Sequence, residues 1–435
     1  MSALAELFVR RGVAVSGSDV NAAGNADLEA LGVTVHRGHD AVWVSGARAV
    51  VASSAIPLDH VELVAAVAAG IPVIRRAEAL GAAVAGMEIV GVAGTHGKTT
   101  TTVMTTEALE GAGAEPIGIV GGRVQRWGGN LRWGSGATAV VEADEYDRSF
   151  LALHPTIAVV TNVEADHLDI YADLADIVRT FEAYLSGARG IVICADDPGA
   201  AGLRLPDGAE VIRYGTATTD ARLVGVSAGD SMRVVFDGEV LGSLTLRVPG
   251  EHNRRNALAA LGAGLLLGFA FEDLKSGLEA FAGVERRFER KGEARGILVI
   301  DDYAHHPTEL DATLEAARSA FPGRRIVALF QPHLYSRTRD FAVEFGEALA
   351  AGADVIGLTE IYQAREQPIA GVSSDLIAAA AASAGRAPSW RGRRTELAHG
   401  ILDLLHTGDV VLTIGAGDIT LVGPELLAAL RAGAA

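Results

Sequence analysis

Residues 91–102 read GVAGTHGKTTTT. The stretch joins an apolar run, EIVGVAG (88–94), to a segment of helical length, TTTTVMTTEALEGAG (99–113). Gly97-Lys98-Thr99 has the ending of a phosphate-binding loop, where backbone N–H groups cradle phosphates, the lysine reaches the outer ones and the hydroxyl holds magnesium. The usual spacing asks for a glycine where this chain has Val92; the glycine comes late, at Gly94. The loop is therefore a shortened variant, set between a strand and a helix as the motif requires. A helix N-terminus there adds a favourable field for an anion. Six threonines within residues 99–106 make a poor helix on propensity alone. They are tolerable if the first hydroxyls face phosphate and metal and tertiary packing holds the rest.

Working outward, the same alternation of strand, loop and helix recurs. MSALAELFVRRG (1–12) reads as an amphipathic helix and VAVSGSD (13–19) as a strand running into a polar turn. LEALGVTVHRGHD, ARAVVASSAIP and AAGIPVIRRAEAL repeat the pattern, which is that of a mostly parallel sheet. Doubly wound folds open with a strand, a glycine-rich turn and then a helix, so an opening strand and its turn are expected to precede Met1. Downstream, TAVVEAD, TIAVVTN and GIVICAD read as strands. SMRVVFDGEVLGSLTLRVPG reads as a hairpin turning at Asp-Gly, and NRRNALAALGAGLLLGF as a helix. A last block alternates the strands ILVIDDY, RRIVALFQP, DVIGLTEIY and DVVLTIGAG with the helices ELDATLEAARSA, FAVEFGEALAAG and DLIAAAAASAG. The expected fold class is α/β in three domains. These are a Rossmann-like N-terminal domain over 1–84, a central P-loop ATPase-type domain over 85–293 and a Rossmann-like C-terminal domain over 294–435.

Bulk properties narrow the function. A chain of 435 residues with 49% hydrophobic residues can fill several cores, and a net charge of −17 with no basic stretch argues against nucleic acid as a partner. The single cysteine, Cys194, rules out a disulfide framework within the chain and fits a reducing cytoplasm. The longest apolar run, Ala257–Phe271, falls short of the ~20 residues of a spanning helix and is expected to be a buried one. Lysine occurs only at Lys98, Lys275 and Lys291; a chain so poor in lysine nevertheless has one in the phosphate loop.

Polar clusters follow the strands, where open α/β sheets bind ligands. EADEYD (142–147) crowds four carboxylates, which need cations or donors to coexist. Glu142 with Thr99 is a candidate magnesium pair, and a solvated acidic turn is the alternative. TNVEADHLD (161–169) offers Asn162, Asp166, His167 and Asp169; His167 reads either as a second metal ligand or as a structural histidine. In EHNRRNA (251–257), Asn253 and Asn256 share a helix face, to read an adenine or to cap the helix. In DDYAHHPTE (301–309) and FQPHLYSRTRD (330–340), Arg337 or Arg339 is a candidate grip for a carboxylate, against simple surface pairing.

In this order, GTHGKTTTT, EADEYDRSFL, TNVEADHLDIY, HNRRNA, RRFE, DDYAHHPTE and FQPHLYSRTRDF resemble the motifs of the Mur ligases, the ATP-dependent amide-forming enzymes of peptidoglycan synthesis. Within the family they are most similar to the branch that joins L-alanine to UDP-N-acetylmuramate. The murein tripeptide recycling ligases are the nearest alternative, and a nucleotide-binding protein without ligase activity is a further one. The resemblance implies an acyl-phosphate mechanism, ATP and magnesium as cofactors, cytoplasmic location and a monomer or homodimer. It implies that Gly94, Thr95, His96, Gly97, Lys98, Thr99 and Thr100 hold the phosphates, with Thr99, Glu142 and His167 on metal. His252, Asn253 and Asn256 would lie on the adenine side and Arg287 near the phosphates. Ser18, Asp19, Ser53, Ser54, Ala55 and Ile56 would contact the sugar nucleotide, and Tyr303, His305, His333 and Arg337 the amino-acid side. The chain departs from the family pattern in three places. The glycine-rich turn before the first helix is absent, Leu334 stands where many relatives have arginine, and Tyr146 and Arg148 replace serine and glycine.

Overall fold

Strand Glu88–Ala93 is buried beyond its first residue, as a parallel strand covered on both faces must be. In the computed structural model, which describes residues 1–20, 26–167, 170–217 and 220–432, this strand lies between Ile157–Val160 and Thr138–Glu142, parallel to both. Beyond Ile157–Val160 come Gly190–Cys194, Glu210–Gly215 and Leu223–Ala228, all parallel, then Ser231–Phe236 and Glu239–Leu244, antiparallel. Beyond Thr138–Glu142 come Ile117–Val124 and, antiparallel to it, Gly129–Arg132. These ten strands form one sheet. The expected hairpin turns at Asp237-Gly238, both at positive φ (50° and 86°), the conformation Asp-Gly favours.

The helix after the phosphate loop, Lys98–Gly111, shows how a threonine-rich segment is made helical. Residues Thr99 to Leu109 are all buried, so packing rather than propensity decides the conformation. Thr102, Thr105 and Thr106 turn their hydroxyls inward, onto the carbonyls of Lys98, Thr101 and Thr102 at 2.8, 2.7 and 2.7 Å. A hydroxyl satisfied four residues back needs no solvent. The apolar run at Ala257 forms the buried part of helix Glu251–Leu266, which stops short of Phe271. Gly268, at φ 88°, bonds back to the Leu265 carbonyl and ends the helix. No helix among the described residues is long and apolar enough to cross a membrane.

Near the N-terminus, helix Ser2–Arg10 precedes two separate parallel pairs: Ser16–Asp19 with Thr34–Arg37, and Val50–Ala52 with Val73–Arg75. A doubly wound sheet puts its first strand between two such halves. Among the described residues no strand joins them.

Contacts divide the chain into two units, Met1–Leu246 with Arg254–Phe281, and Arg247–Asn253 with Ala282–Ala435. Segment 1–84 and most of 85–293 fall in the first, and 294–435 in the second. The second unit has a six-stranded sheet: Glu289–Ala294, antiparallel, then Ile297–Asp302, Val410–Ile414, Ile326–Phe330, Val355–Thr359 and Trp390–Gly392, parallel. Apolar clusters cover both faces of this sheet. One helix differs from expectation. It runs over Tyr335–Gly352, starting well before FAVEFGEALAAG, with a break at Phe341. Leu334, at φ 72°, turns the chain, and Glu366 accepts from the Ser336 backbone N–H at 2.9 Å and from its hydroxyl. A polar stretch that reads as loop thus becomes a helix start, with Arg337 in its first turn.

Candidate active site

The phosphate loop is tied down from behind. The Thr95 and His96 N–H groups donate to Asn162, to its carbonyl at 3.1 Å and its Oδ1 at 2.7 Å. The His96 carbonyl accepts from the Thr161 hydroxyl (2.6 Å) and the Asn162 amide (3.1 Å), and Thr95 Oγ1 accepts from the Glu164 N–H (2.9 Å). Gly94 and Gly97 have φ of 141° and 81°. A Cβ on Gly94 would lie 2.0 Å from Thr161 Oγ1, and one on Gly97 2.7 Å from Asn256 Oδ1. Both positions therefore need glycine. Asn256 packs directly on the loop, while the Asn253 amide donates to the Pro249 carbonyl at 2.6 Å, close to its own helix start. His252 lies against Gly250, where a Cβ would meet its ring at 2.6 Å.

The four crowded carboxylates are separated by partner. Glu142 accepts from the Thr99 hydroxyl (2.8 Å) and the Gly121 N–H (2.6 Å). Asp144 faces Arg76 at 3.7 Å and Asp147 faces Arg75 at 3.8 Å. Glu145, only 3% exposed, has the Lys98 ammonium 2.9 Å from both its oxygens. Lys98 also donates to the Gly94 and Thr95 carbonyls at 2.6 and 3.0 Å. Burial opposes the charge on Lys98, but the carboxylates of Glu145, Asp144 and Glu142 together outweigh it and lift the lysine pKa. Burial likewise raises Glu145, and Lys98 with His167 more than reverses this, leaving its pKa below the ordinary range. His167, at φ 54°, has Nε2 3.6 Å from Glu145 and 3.8 Å from Asp166. Thr99 and Glu142 form a hard-oxygen pair that suits magnesium; an imidazole is a softer donor than magnesium prefers. Asp169 lies outside the described residues. Glu145 was not separable in sequence from its three acidic neighbours.

Of the residues expected on the sugar nucleotide, Ser18 ends in a polar knot, donating to Glu62 Oε2 (2.8 Å) and lying 3.2 Å from His39 Nδ1. Asp19 is the last residue of its strand. Ser53 to Ile56 form a tight turn, with the Ile56 N–H on the Ser53 carbonyl (3.0 Å) and the Ala55 N–H on the Ser53 hydroxyl (3.3 Å). Ser54 lines a cleft with Arg75, Arg76, Asp147, Arg148 and Ser149. Arg75 and Arg76 belong to no motif recognisable in sequence, although the run RRAEAL opens a helix there.

In the second unit, Tyr303 is flanked by two guanidiniums, Arg286 at 4.7 Å and Arg287 at 5.2 Å from its ring centre. Arg287 pairs with Glu309 at 3.3 Å, and Glu309 also accepts from the His305 N–H and lies 2.9 Å from its Nδ1. The His305 ring meets that of His333 edge-on at 5.9 Å. His333 has a buried Nδ1 without a hydrogen-bond partner. Burial, then the positive charges of His305, Arg337, Arg365 and Arg286, push its pKa down to about 3. It is therefore neutral at physiological pH, in a setting rich in cations. Arg337 is 7% exposed, whereas Arg339 pairs with the adjacent Asp340 at 2.6 Å on the surface. Asp302 accepts from the Phe288 and Ala304 N–H groups, and burial pushes its pKa up to about 6.

Family models match the chain in three parts. They are Mur ligase family, catalytic domain, over 1–87, Mur ligase middle domain over 92–264, and Mur ligase, glutamate ligase domain, over 286–417. A UDP-N-acetylmuramate–L-alanine ligase of Salinibacter ruber is 46% identical over 430 residues, covering 96% of this chain and 90% of the relative. The crystal structure of a UDP-N-acetylmuramate–alanine ligase from Thermotoga maritima superposes with a TM-score of 0.85 at 28% identity, covering 100% of this chain and 97% of the other. A murein peptide ligase from Psychrobacter arcticus superposes with a TM-score of 0.72 at 25% identity, covering 99% and 96%. With a phosphate loop, its acidic partners and three matched parts in family order, the chain belongs to the Mur ligase family.

Proposed function

We propose that the chain joins L-alanine to the lactyl carboxylate of UDP-N-acetylmuramate, with ATP cleaved to ADP and phosphate through an acyl phosphate. The observation that carries this is the Lys98–Thr99–Glu142 set on a strand–turn–helix, in a chain 46% identical to a ligase of that name over almost its whole length. A carboxylate is a poor acyl donor, because it would have to expel oxide; phosphorylation supplies a leaving group. Two anions must then meet. Lys98 and the loop N–H groups offset their repulsion and stabilise the charge that develops on the phosphoryl oxygens. Thr99 and Glu142 are the residues that would hold magnesium, which would add further charge stabilisation there. His167 is assigned to the same side through its neighbours Glu145 and Asp166.

The amino-acid side is assigned to Tyr303, His305, His333 and Arg337. The buried Arg337 guanidinium suits a carboxylate. A neutral His333 can accept a hydrogen bond from the amino group, but with a pKa of about 3 it is too weak a base to take the ammonium proton, which must be lost before the amine attacks. The turn at Ser53 to Ile56 and the cleft at Ser54, with Arg75 and Arg76 beside it, support sugar-nucleotide binding, together with Ser18 and Asp19. A cytoplasmic location suits these substrates. The recycling reading has weaker support, since the murein peptide ligase superposes less closely than the alanine ligase. The test is phosphate release with ATP, magnesium and UDP-N-acetylmuramate, with and without L-alanine, and separately with the tripeptide. Alanine-dependent release is expected; release that depends on the tripeptide alone would reject the proposal.

A further inference from the structure

The turn after Glu145 is strained. Asp147 and Arg148 have φ/ψ of 54°/26° and 54°/23°, a left-handed conformation that glycine adopts freely and a long side chain does not. The Arg148 side chain is nonetheless held at both terminal nitrogens. Nη1 donates to Thr180 Oγ1 at 2.8 Å and Nη2 to Asp176 Oδ2 at 2.7 Å. Its guanidinium carbon lies 5.0 Å from the centre of the Tyr171 ring, within cation–π range. Tyr171 is 2% exposed and donates its hydroxyl to the Glu145 carbonyl at 2.6 Å. The Arg148 N–H donates to the same carbonyl at 2.9 Å. Burial and the Glu145 charge raise the Tyr171 pKa, so the hydroxyl stays a donor. Glu145 in turn holds the phosphate-loop ammonium.

We propose that Arg148 and Tyr171 are positioning residues for Lys98. Arg148 fixes the Tyr171 ring, both grip the Glu145 carbonyl, and Glu145 sets where the Lys98 ammonium rests. The inference rests on reading Lys98 as the group that meets the outer phosphates of ATP. A ligand that takes the ammonium from Glu145 must find it already placed, since it is held by two loop carbonyls, of Gly94 and Thr95, and by the Glu145 carboxylate.

The test uses the full chain with Tyr171→Phe, which removes one oxygen, and Arg148→Gly, which relieves the strain while removing the clamp. Only three lysines are present, so 13C labelling at lysine Cε gives three signals, with Lys275 and Lys291 as internal references at one fixed pH. Both variants are expected to move the Lys98 signal alone. Each should lower kcat for alanine-dependent phosphate release about tenfold per folded molecule, with KM for L-alanine unchanged, as for an interaction realised in the transition state. An unmoved Lys98 signal in both variants overturns the proposal, as does a moved signal with wild-type kcat. If the parent chain shows no alanine-dependent release, the ligase reading fails on its own, and the Lys98 signal still decides whether the clamp positions the lysine.

Discussion

Replacing Lys98 by methionine should damage the fold as well as the chemistry. At 2.9 Å and an effective dielectric near 20, the attraction to Glu145 is roughly 6 kcal/mol. Most of that is cancelled by the cost of taking both charges out of water, so the pair itself adds little net stability. Removing one partner is different, because a carboxylate only 3% exposed is then left without its cation. The expected destabilisation is about 3–5 kcal/mol. Glu145→Gln in the same chain should return about half of it, since a neutral amide has no charge to desolvate. The effect is best read as a double-mutant cycle in urea, with hydrogen exchange of peptides from Lys98–Gly111 isolating the first unit. The pH dependence has a definite sign. In the parent, Glu145 has a folded pKa below the unfolded 4.5, so its contribution is present above pH 4.5 and is lost as pH falls through the folded value. In Lys98→Met, His167 alone is left to oppose burial, so that pKa rises above its value in the parent and the destabilisation grows as pH rises through it. A Lys98→Met variant within 0.5 kcal/mol of the parent at pH 7, or one equally destabilised at all pH values, would refute the reasoning.

Other consequences can be checked separately. Thr99→Val should lower kcat about 100-fold, as for other single groups that stabilise transition-state charge, while Thr99→Ser retains most activity; steady-state phosphate release measures both. Chelation of divalent cations should abolish release, with magnesium restoring it in the parent and only weakly in Glu142→Gln. Arg337→Lys should raise KM for L-alanine at least tenfold and leave KM for ATP unchanged, because a point charge does not reproduce a two-pronged grip. For Asp302, with a folded pKa of about 6 against 3.8 unfolded, about 3 kcal/mol of stability is present below pH 3.8 and lost as pH rises through 6. Asp302→Asn should flatten that part of the stability profile, read by urea unfolding between pH 4 and 8.

The phosphate loop was legible in the sequence because its signal is local: a strand, two glycines, a lysine and a threonine within a dozen residues. The Asp237-Gly238 hairpin was legible for the same reason. The partners of the EADEYD carboxylates were not. In sequence they differ only by position, and only the fold sends Glu142 to Thr99, Asp144 to Arg76, Glu145 to Lys98 and Asp147 to Arg75. The start of the helix at Tyr335 was hidden by its polar composition, since the residue that turns the chain into it is Leu334, a type that gives no warning of positive φ. Arg148 carried a signal of another kind. It departed from an expected glycine, but the reason lies on Tyr171, Asp176 and Thr180, more than twenty residues away.

The threonine-rich helix has a consequence for biosynthesis. Its sequence alone is a weak helix former, and the strand before it is flanked in the sheet by Thr138–Glu142 and Ile157–Val160, both translated later. Asn256, which supports Gly97, comes later still. A nascent chain therefore carries a phosphate loop that it cannot yet shape, and nucleotide cannot serve as a template for its early folding. The pocket closes only after the ribosome has delivered residues more than 150 positions beyond the loop.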